Sequence, residues 1–309
     1  MPARQSQIAP SISTVAVLGA GVIGSSWIEA FLTQGLKVRG WDPNPDLKRR
    51  LTPLTQRYGE ALEILSSPDE AVRNAGFVQE SGPEDLETKR ALFAAIAPHL
   101  GAAALVASST STLQPSALQQ DCAFADRILV GHPFNPPHIL PLVEVVGGAK
   151  TSEVAIEAAM TFYRAIGKHP IRLHRERPGH LANRLQAALW REAVDAVACG
   201  QASVEDVDAA VTLALGPRWA AMGPFATFHM GGGQDGLAHF LAHLGPAFEM
   251  LWDDANRPKV TEALKRKLLE GVSESLGGRS THDLSAFRDR KLRAVLSLMG
   301  DGEDTTSPS

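Results

Sequence analysis

Two adjoining stretches decide the predicted fold of the N-terminal half: TVAVL (Thr14–Leu18) and GAGVIG (Gly19–Gly24). The first has the pattern of a buried strand, and the second leads into a helical pattern. In such a turn the first glycine permits a tight bend, the second lets the backbone approach a pyrophosphate, and the third lets the helix pack against the strand. The pattern predicts a dinucleotide-binding βαβ unit whose cofactor contacts are Gly19, Gly21, Val22, Ile23 and Gly24.

The residue that follows the second strand indicates which dinucleotide binds. Lys37–Trp41 has a strand pattern, and Asp42 follows it, 18 residues after Gly24. A carboxylate there accepts hydrogen bonds from ribose hydroxyls and repels a 2′-phosphate, and Pro43-Asn44 brings no arginine to offset this. We therefore expect NAD rather than NADP. FAD remains an alternative on the same pattern, as does a purely structural glycine turn.

Short apolar strands alternate with helical patterns up to residue 176. Strands are predicted at Val15–Leu18, Lys37–Trp41, Phe77–Glu80, Ala104–Ala107, Ile128–Gly131, Leu142–Val146 and Pro170–Leu173. Helices are predicted at Val22–Gln34, Glu84–Ala97 and Glu153–Ile166. This alternation is typical of a mostly parallel sheet covered by helices.

The pattern changes at Arg177-Pro178-Gly179, after which no convincing strand occurs. Helices are predicted at Leu181–Ala198, Ser203–Leu213, Val260–Leu276 and His282–Met299. The predicted fold class is α/β: a Rossmann-type, mostly parallel sheet domain at residues 13–177, followed by an all-helical domain at 178–300. The second domain is expected to contribute to substrate binding and dimerisation.

The composition is that of an ordinary globular protein. The 309 residues are 44% hydrophobic and 21% charged, with 30 basic and 34 acidic residues and a net charge of −4. No general attraction to nucleic acid or membrane follows from this balance. With no signal peptide or membrane span in the sequence, the expected location is cytoplasmic. No metal site is expected, and Cys122 and Cys199 are interpreted as small buried hydrophobic residues.

A candidate catalytic pair lies further along the predicted sheet. The strand Ile128–Gly131 ends at His132, and twelve residues later Glu144 stands within the apolar run Leu142–Val146. A carboxylate in a buried strand needs a partner, and the Nδ1–H of His132 would leave the other ring nitrogen as a general base. On the pattern alone two alternatives stay open: a histidine satisfied within a loop, and a glutamate that reaches solvent from an edge strand.

Several motifs then occur in a specific order. They are VAVLGAGVIGSSW (15–27), Glu80, Glu84–Lys89, Ser108–Thr112, GHPFNPP (131–137), PLVEVV (141–146) and Pro178–Arg184. Together they resemble the L-3-hydroxyacyl-CoA dehydrogenase superfamily over roughly residues 13–230. The resemblance implies that His132 takes the hydroxyl proton, Glu144 orients it, and Ser111 and Asn183 hold the substrate oxygen.

The same resemblance implies further cofactor contacts. Glu84 and Lys89 match positions near the ribose and nicotinamide, and Ser109 stands where CoA-linked members usually carry asparagine. Only 34 residues separate Asp42 from Phe77, where CoA-linked members carry a long helical arm that helps to hold CoA. This shortening favours a free acid as substrate.

Within that superfamily, residues 215–225 and 231–247 resemble the branch that acts on free 3-hydroxy acids. The L-carnitine dehydrogenases are the first choice and the lambda-crystallin / L-gulonate 3-dehydrogenase group is the second. Arg218 is the candidate for a substrate carboxylate, and Trp219 and Phe134 offer aromatic faces to a trimethylammonium group. The alternatives are a surface arginine and aromatic residues that only pack.

Three functions therefore remain in competition: a dehydrogenase of free 3-hydroxy acids, a short-chain 3-hydroxyacyl-CoA dehydrogenase, and a crystallin-like structural protein that binds a cofactor. A complete set of His132, Glu144, Ser111 and Asn183 favours an enzyme over the structural role. The partners expected are a small-molecule substrate and a second copy of the chain.

Overall fold

The computed structural model describes residues 12–300. The chain divides into two compact units, with the boundary between Arg184 and Leu185. The boundary predicted after residue 177 falls shortly before this division, in the segment that follows the last strand.

The first unit contains an eight-stranded sheet. Its strands are β1 Thr14–Leu18, β2 Lys37–Trp41, β3 Leu62–Ile64, β4 Phe77–Glu80, β5 Leu105–Ser108, β6 Ile128–Pro133, β7 Leu142–Gly147 and β8 His169–Arg172. Their order in the sheet is β3-β2-β1-β4-β5-β6-β7-β8. All neighbouring pairs are parallel except β6 and β7, which are antiparallel. The first six strands have the order of a Rossmann fold.

Seven helices accompany this sheet. They are α1 Val22–Thr33, α2 Leu47–Arg50, α3 Thr52–Tyr58, α4 Pro68–Val72, α5 Leu86–Ile96, α6 Pro115–Leu118 and α7 Glu153–Ala165. Between Asp42 and Phe77, α2, α3 and α4 are only four, seven and five residues long. No long helical arm is therefore formed in this described segment.

Both faces of the sheet are buried. Successive side chains of a strand point to opposite faces, so Val15 and Val17 join one apolar cluster while Ala16 and Leu18 join the other. Burial on both sides explains why the strands appear in the sequence as continuous apolar runs. It also places the polar residues that follow the strands at the carboxyl edge of the sheet, where ligands bind in open α/β sheets.

The second unit is helical. The helix α8 Ala182–Cys199 begins in the first unit, and six helices follow: α9 Val204–Ala210, α10 Gly216–Ala221, α11 Pro224–Gly231, α12 Gly236–Asp254, α13 Glu262–Leu276 and α14 Thr281–Gly300. The segment Val211–Leu215 is a π-helical turn that joins α9 to α10. Because Pro217 lacks an N–H and crowds the preceding turn of an α-helix, a wider turn at this point lets the helix continue.

The fold class agrees with the prediction, but some elements were not predicted. The strand β3 is a three-residue edge strand that pairs only with β2. Glycine and proline between residues 216 and 246 made α10, α11 and α12 unrecognisable in the sequence, although Pro224 lies in the first turn of α11, where proline is tolerated. None of the helices in residues 12–300 is long and apolar enough to span a membrane.

The prediction that both cysteines are buried was wrong. Cys199 is exposed, because it is the last residue of α8 and the chain turns away at Gly200, whose φ is 80°. Cys122 is half-buried, and burial raises the pKa of its thiol.

Candidate active site

The glycine-rich turn lies between β1 and α1. Gly19 has a φ of 87°, and a Cβ on it would come within 2.7 Å of the backbone of Ser81 and Gly82. A Cβ on Gly24 would come within 1.8 Å of the Gly19 carbonyl oxygen. Both positions therefore require glycine for the packing of the protein itself.

Gly21 differs from these two glycines, because a Cβ built on it meets no described atom within 4 Å. It is the N-cap of α1 and provides no side-chain cap, so the first N–H groups of the helix, from Val22 to Gly24, have no capping side chain. Uncapped N–H groups at a helix N-terminus attract phosphate. The turn fits the pyrophosphate of a dinucleotide, with Gly21 leaving room for it.

Asp42 follows β2 and lies beside this turn. Its Oδ2 accepts a hydrogen bond from the backbone N–H of Ala20 at 2.6 Å, and its Oδ1 accepts one from Asn44 at 2.8 Å. The carboxylate is thus held at the end of β2, where a ribose diol is recognised in this fold.

A buried ion pair supports the backbone opposite Gly19. Glu80, at the end of β4, accepts hydrogen bonds from Lys89 Nζ at 2.6 Å, from the Gly82 N–H at 2.6 Å and from Ser108 Oγ at 2.5 Å. The Lys89 side chain is only 1% exposed. Lys89 was predicted to contact the cofactor. In the structure its ammonium group is paired with the buried carboxylate of Glu80.

Glu84, another predicted cofactor contact, organises the loop that carries Ser111. Its Oε1 accepts hydrogen bonds from the Ser111 N–H at 2.9 Å, from the Thr112 N–H at 2.7 Å and from the hydroxyls of Thr110 and Thr112. Partial burial raises the pKa of Glu84, but these hydrogen bonds outweigh it, and the pKa lies below its usual value. The carboxylate thus fixes the position of Ser111, which is itself half-buried.

A second buried network, which the sequence analysis missed, surrounds Ser109. Gln79 donates to Ser109 Oγ at 2.8 Å and accepts from Tyr163 Oη at 2.7 Å. Ser109 Oγ also lies 2.9 Å from Ser81 Oγ. Gln79 donates as well to the carbonyl of Gly131 at 3.2 Å, immediately before His132. A glutamine in a buried strand was the available signal, since such a group needs partners.

His132 and Glu144 lie directly opposite each other in the antiparallel ladder between β6 and β7. The His132 Nδ1 is 2.8 Å from Glu144 Oε2, and both side chains are buried. The other carboxylate oxygen accepts hydrogen bonds from the Leu181 N–H at 2.9 Å and the Ala182 N–H at 2.7 Å, at the start of α8. Glu144 is therefore satisfied from both sides.

This arrangement fixes the tautomer of His132. Because a carboxylate only accepts, Nδ1 carries a proton, and the lone pair of the neutral ring therefore lies at Nε2. Asn183 Nδ2 lies 3.5 Å from Nε2. The geometry places a ring nitrogen that can accept a proton next to an amide nitrogen that can donate a hydrogen bond.

The remaining predicted site residues are divided between the two units. Phe134 packs edge-on against His132, with the ring centroids 5.1 Å apart. Arg218 and Trp219 lie in α10 of the second unit, where both are exposed. Among residues 12–300 no group of three or more histidine, cysteine, aspartate or glutamate side chains is arranged to hold a metal ion.

Two protein-family models match the chain. The model for the 3-hydroxyacyl-CoA dehydrogenase NAD-binding domain matches residues 14–62 and 48–177. The model for the C-terminal domain of the same family matches residues 179–270.

Similar curated proteins extend over nearly the whole chain. An L-carnitine dehydrogenase of Nocardiopsis dassonvillei is 43% identical over 307 residues, covering 95% of this chain and 93% of that protein. One of Streptomyces griseus is 44% identical, covering 94% of this chain and 90% of that protein. One of Pseudomonas aeruginosa is 42% identical, covering 92% and 93%.

Solved structures agree with this assignment. The crystal structure of an NAD⁺-dependent dismutase, 5-formyl-3-hydroxy-2-methylpyridine 4-carboxylic acid 5-dehydrogenase, has a TM-score of 0.81 at 27% identity and covers 95% of this chain and all of that one. A (S)-3-hydroxybutyryl-CoA dehydrogenase of Ralstonia eutropha has a TM-score of 0.61 at 26% identity and covers 84% and 95%.

The sheet, the uncapped turn and these similarities define an NAD-dependent oxidoreductase that acts on CH–OH groups. NAD is its cofactor, and Gly19–Gly24 and Asp42 are the residues that fit it. The chain belongs to the 3-hydroxyacyl-CoA dehydrogenase family.

Proposed function

We propose that this protein oxidises the 3-hydroxyl group of a small free L-3-hydroxy acid, with a carnitine-like acid as the first choice and a gulonate-like acid as the second. The observation that carries the proposal is the 43% identity to an L-carnitine dehydrogenase across 95% of the chain. The short helices between Asp42 and Phe77 support a free acid, because this segment offers no long arm for CoA.

Each polar group at the reaction centre has one task in this proposal. His132 Nε2 takes the hydroxyl proton, and Glu144 holds the ring in the required tautomer and stabilises the imidazolium that forms. Asn183 and Ser111 donate hydrogen bonds to the oxygen as it becomes a carbonyl. Bound NAD supplies the hydride acceptor. The 2.8 Å contact between His132 and Glu144 supports these roles.

A panel of four substrates tests the proposal. L-carnitine, L-gulonate, L-3-hydroxybutyrate and 3-hydroxybutyryl-CoA are each offered with NAD, and NADH formation is followed by absorbance. We expect turnover of a free acid, and we expect His132→Gln to abolish it while NADH binding stays near normal, since His132 is needed for proton transfer. Turnover within tenfold of the wild type in this variant would contradict the role of His132.

The other two functions are outcomes of the same panel. Turnover of only the thioester would assign a short-chain 3-hydroxyacyl-CoA dehydrogenase. No turnover of any substrate, with NADH still bound, would favour a crystallin-like structural role.

Arg218 is proposed to hold the substrate carboxylate, and Trp219 and Phe134 to contact the remainder of the substrate. The exposed position of Arg218 supports this, because none of the hydrogen bonds or ion pairs among residues 12–300 uses its guanidinium, which is therefore available for a bidentate pair. Arg218→Met should raise KM for the free acid by some tens-fold, since one charge-assisted pair is lost. An unchanged KM would assign Arg218 to the ordinary surface.

A homodimer is proposed through the helical unit. Large apolar side chains of this unit are exposed in the single chain, among them Trp190, Phe225, Met230, Leu241, Met250 and Trp252. Apolar surface of this kind marks protein–protein contacts. Sedimentation equilibrium should give twice the chain mass, and a monomer at micromolar concentration would contradict the proposal.

We also propose that the protein is located in the cytoplasm, where NAD is available.

A further inference from the structure

His180 is a buried residue in an unusual backbone conformation, two residues before α8 begins at Ala182. Its φ is 51°, in the left-handed region, and it is only 4% exposed. A non-glycine residue rarely adopts this conformation, and residues that do so cluster at functional sites. The imidazole lies against His132, with the ring centroids 5.1 Å apart.

One nitrogen of this imidazole is committed to the protein. His180 Nε2 lies 2.9 Å from the carbonyl oxygen of Thr110, and a carbonyl only accepts, so Nε2 carries the proton. This hydrogen bond attaches the segment before Asn183 to the loop before Ser111.

The other nitrogen has no partner. Within residues 12–300 no side chain or backbone group forms a hydrogen bond with His180 Nδ1, although the atom is fully buried. Burial lowers the pKa of His180, opposed by the Thr110 contact, while a charge on His132 lowers it further. The lowered pKa favours the neutral ring, and because Nε2 carries its proton toward Thr110, the lone pair of that neutral ring lies at Nδ1. An acceptor left unsatisfied inside a protein is destabilising, and a bound ligand that presents positive charge to it would recover that loss.

We propose that His180 Nδ1 contacts an electropositive substituent on the carbon next to the carbinol that His132 deprotonates, which makes His180 a specificity-determining residue. The inference rests on the proposed function. The substituent is either a second hydroxyl group, which presents its hydrogen to Nδ1, or a quaternary ammonium group, which presents its methyl hydrogens. Both present positive charge to a lone pair, and a neutral imidazole does not repel the cation. A plain methyl group offers neither.

Two variants distinguish the role of Nδ1 of His180 from the role of Nε2. In His180→Gln the amide nitrogen takes the place of Nε2 and keeps the donor to Thr110, while the Nδ1 acceptor is removed. In His180→Phe both are removed. The Thr110 hydrogen bond is lost only in His180→Phe. If His180→Phe lowers the stability of the protein and lowers kcat/KM equally for all substrates, while His180→Gln does neither, that loss is the structural contribution of the hydrogen bond.

The measurement is the ratio of kcat/KM for each substituted acid to that for L-3-hydroxybutyrate. L-carnitine tests whether the substituent is the quaternary ammonium group, and L-3,4-dihydroxybutyrate tests whether it is the second hydroxyl group. We expect the wild type to prefer at least one of them, and His180→Gln to reduce that preference by about tenfold or more. A ratio that is the same in wild type and His180→Gln overturns the inference, as does a wild type without preference.

A second measurement does not depend on turnover. The ¹⁵N resonance of His180 Nδ1, identified by its loss in His180→Gln, should report an unprotonated nitrogen that shifts when L-carnitine or L-3,4-dihydroxybutyrate binds with NADH. L-3-hydroxybutyrate should leave it unshifted. If none of the acids is oxidised, the proposed function fails, and this resonance still decides the inference: no shift with either substituted acid overturns it.

Discussion

Glu144 accepts hydrogen bonds at both of its carboxylate oxygens. Oε2 faces the Nδ1–H of His132, and Oε1 faces the N–H groups of Leu181 and Ala182. Burial raises the pKa of this carboxyl group, but the hydrogen bonds from His132 and the two backbone groups outweigh it, so the pKa lies below its usual value. The charged form is the one that these donors stabilise.

Replacing Glu144 with glutamine should disrupt this arrangement, because an amide accepts at one end and donates at the other. Either His132 or the start of α8 then faces another donor. We expect kcat of Glu144→Gln to fall roughly 100- to 10,000-fold, by analogy with a triad whose aspartate becomes an amide. Steady-state kinetics with NAD measures this, and Glu60→Gln at an exposed position is the control. A fall of less than tenfold would show that the carboxylate is dispensable.

Individual residues differ in how far the sequence reveals their contacts. The partner of Glu144 was predictable in kind, because a carboxylate inside an apolar strand requires a donor and His132 stood one hairpin away. The contacts of Glu84 were not predictable, since an exposed glutamate has no obligatory partner. Only the fold shows that its four hydrogen bonds hold the Ser111 loop. The same holds for the free nitrogen of His180.

The strand β6 depends on a close contact with α7. A Cβ on Gly131 would come within 2.0 Å of Tyr163 Oη. Tyr163 is fully buried, and its hydroxyl donates to Gln79. The helix therefore packs against the strand one residue before His132, so that the position of His132 depends on this packing.

Gly131→Ala should destabilise the protein by about 1–3 kcal/mol, because the added methyl group forces Tyr163 or the strand to move. We expect kcat to fall as well, since His132 is the next residue. Chemical denaturation and steady-state kinetics measure the two effects. Gly21→Ala is the matched control, because its methyl group meets no described protein atom. It should leave stability unchanged and weaken NAD binding. Equal stability of both variants would contradict the packing argument.

Elements buried on both faces were the easiest to predict. The fully buried strand Phe77–Glu80 occurs at the predicted residues, and the predicted Val15–Leu18 lies within β1. The strand β3 was missed because three residues at an edge carry little pattern, and α10 to α12 were missed because glycine and proline interrupt them. The π-helical turn at Val211–Leu215 cannot be predicted from local propensity, since it accommodates Pro217 within a longer helix.

Stability of the whole molecule should depend on pH through Lys168, which is half-buried. Lys168 donates to the carbonyls of Pro137 and Leu140, and burial lowers its pKa to about 8. The ordinary value is 10.5. Between these values the native state has lost a proton that the unfolded chain still binds, so the free energy of unfolding rises with pH in this window. Below pH 8 both states are charged, and this contribution is constant.

The comparison with Lys168→Met isolates this effect, because all other groups are shared. The free energy of unfolding of the wild type, minus that of the variant, should increase between pH 8 and pH 10. Urea denaturation at pH 7, 8.5 and 10 measures the difference. A difference that stays constant or falls over this range would show that Lys168 titrates normally.

The double use of Glu144 also bears on the order in which the molecule assembles. A refolding chain whose sheet is complete already has β6 beside β7, yet the second carboxylate oxygen stays unsatisfied until the first turn of α8 winds. The carboxylate that orients the imidazole of His132 is then held in place only when the first turn of α8 has formed. Recovery of activity should therefore follow the protection of the Leu181 and Ala182 amides from hydrogen exchange rather than the formation of the sheet.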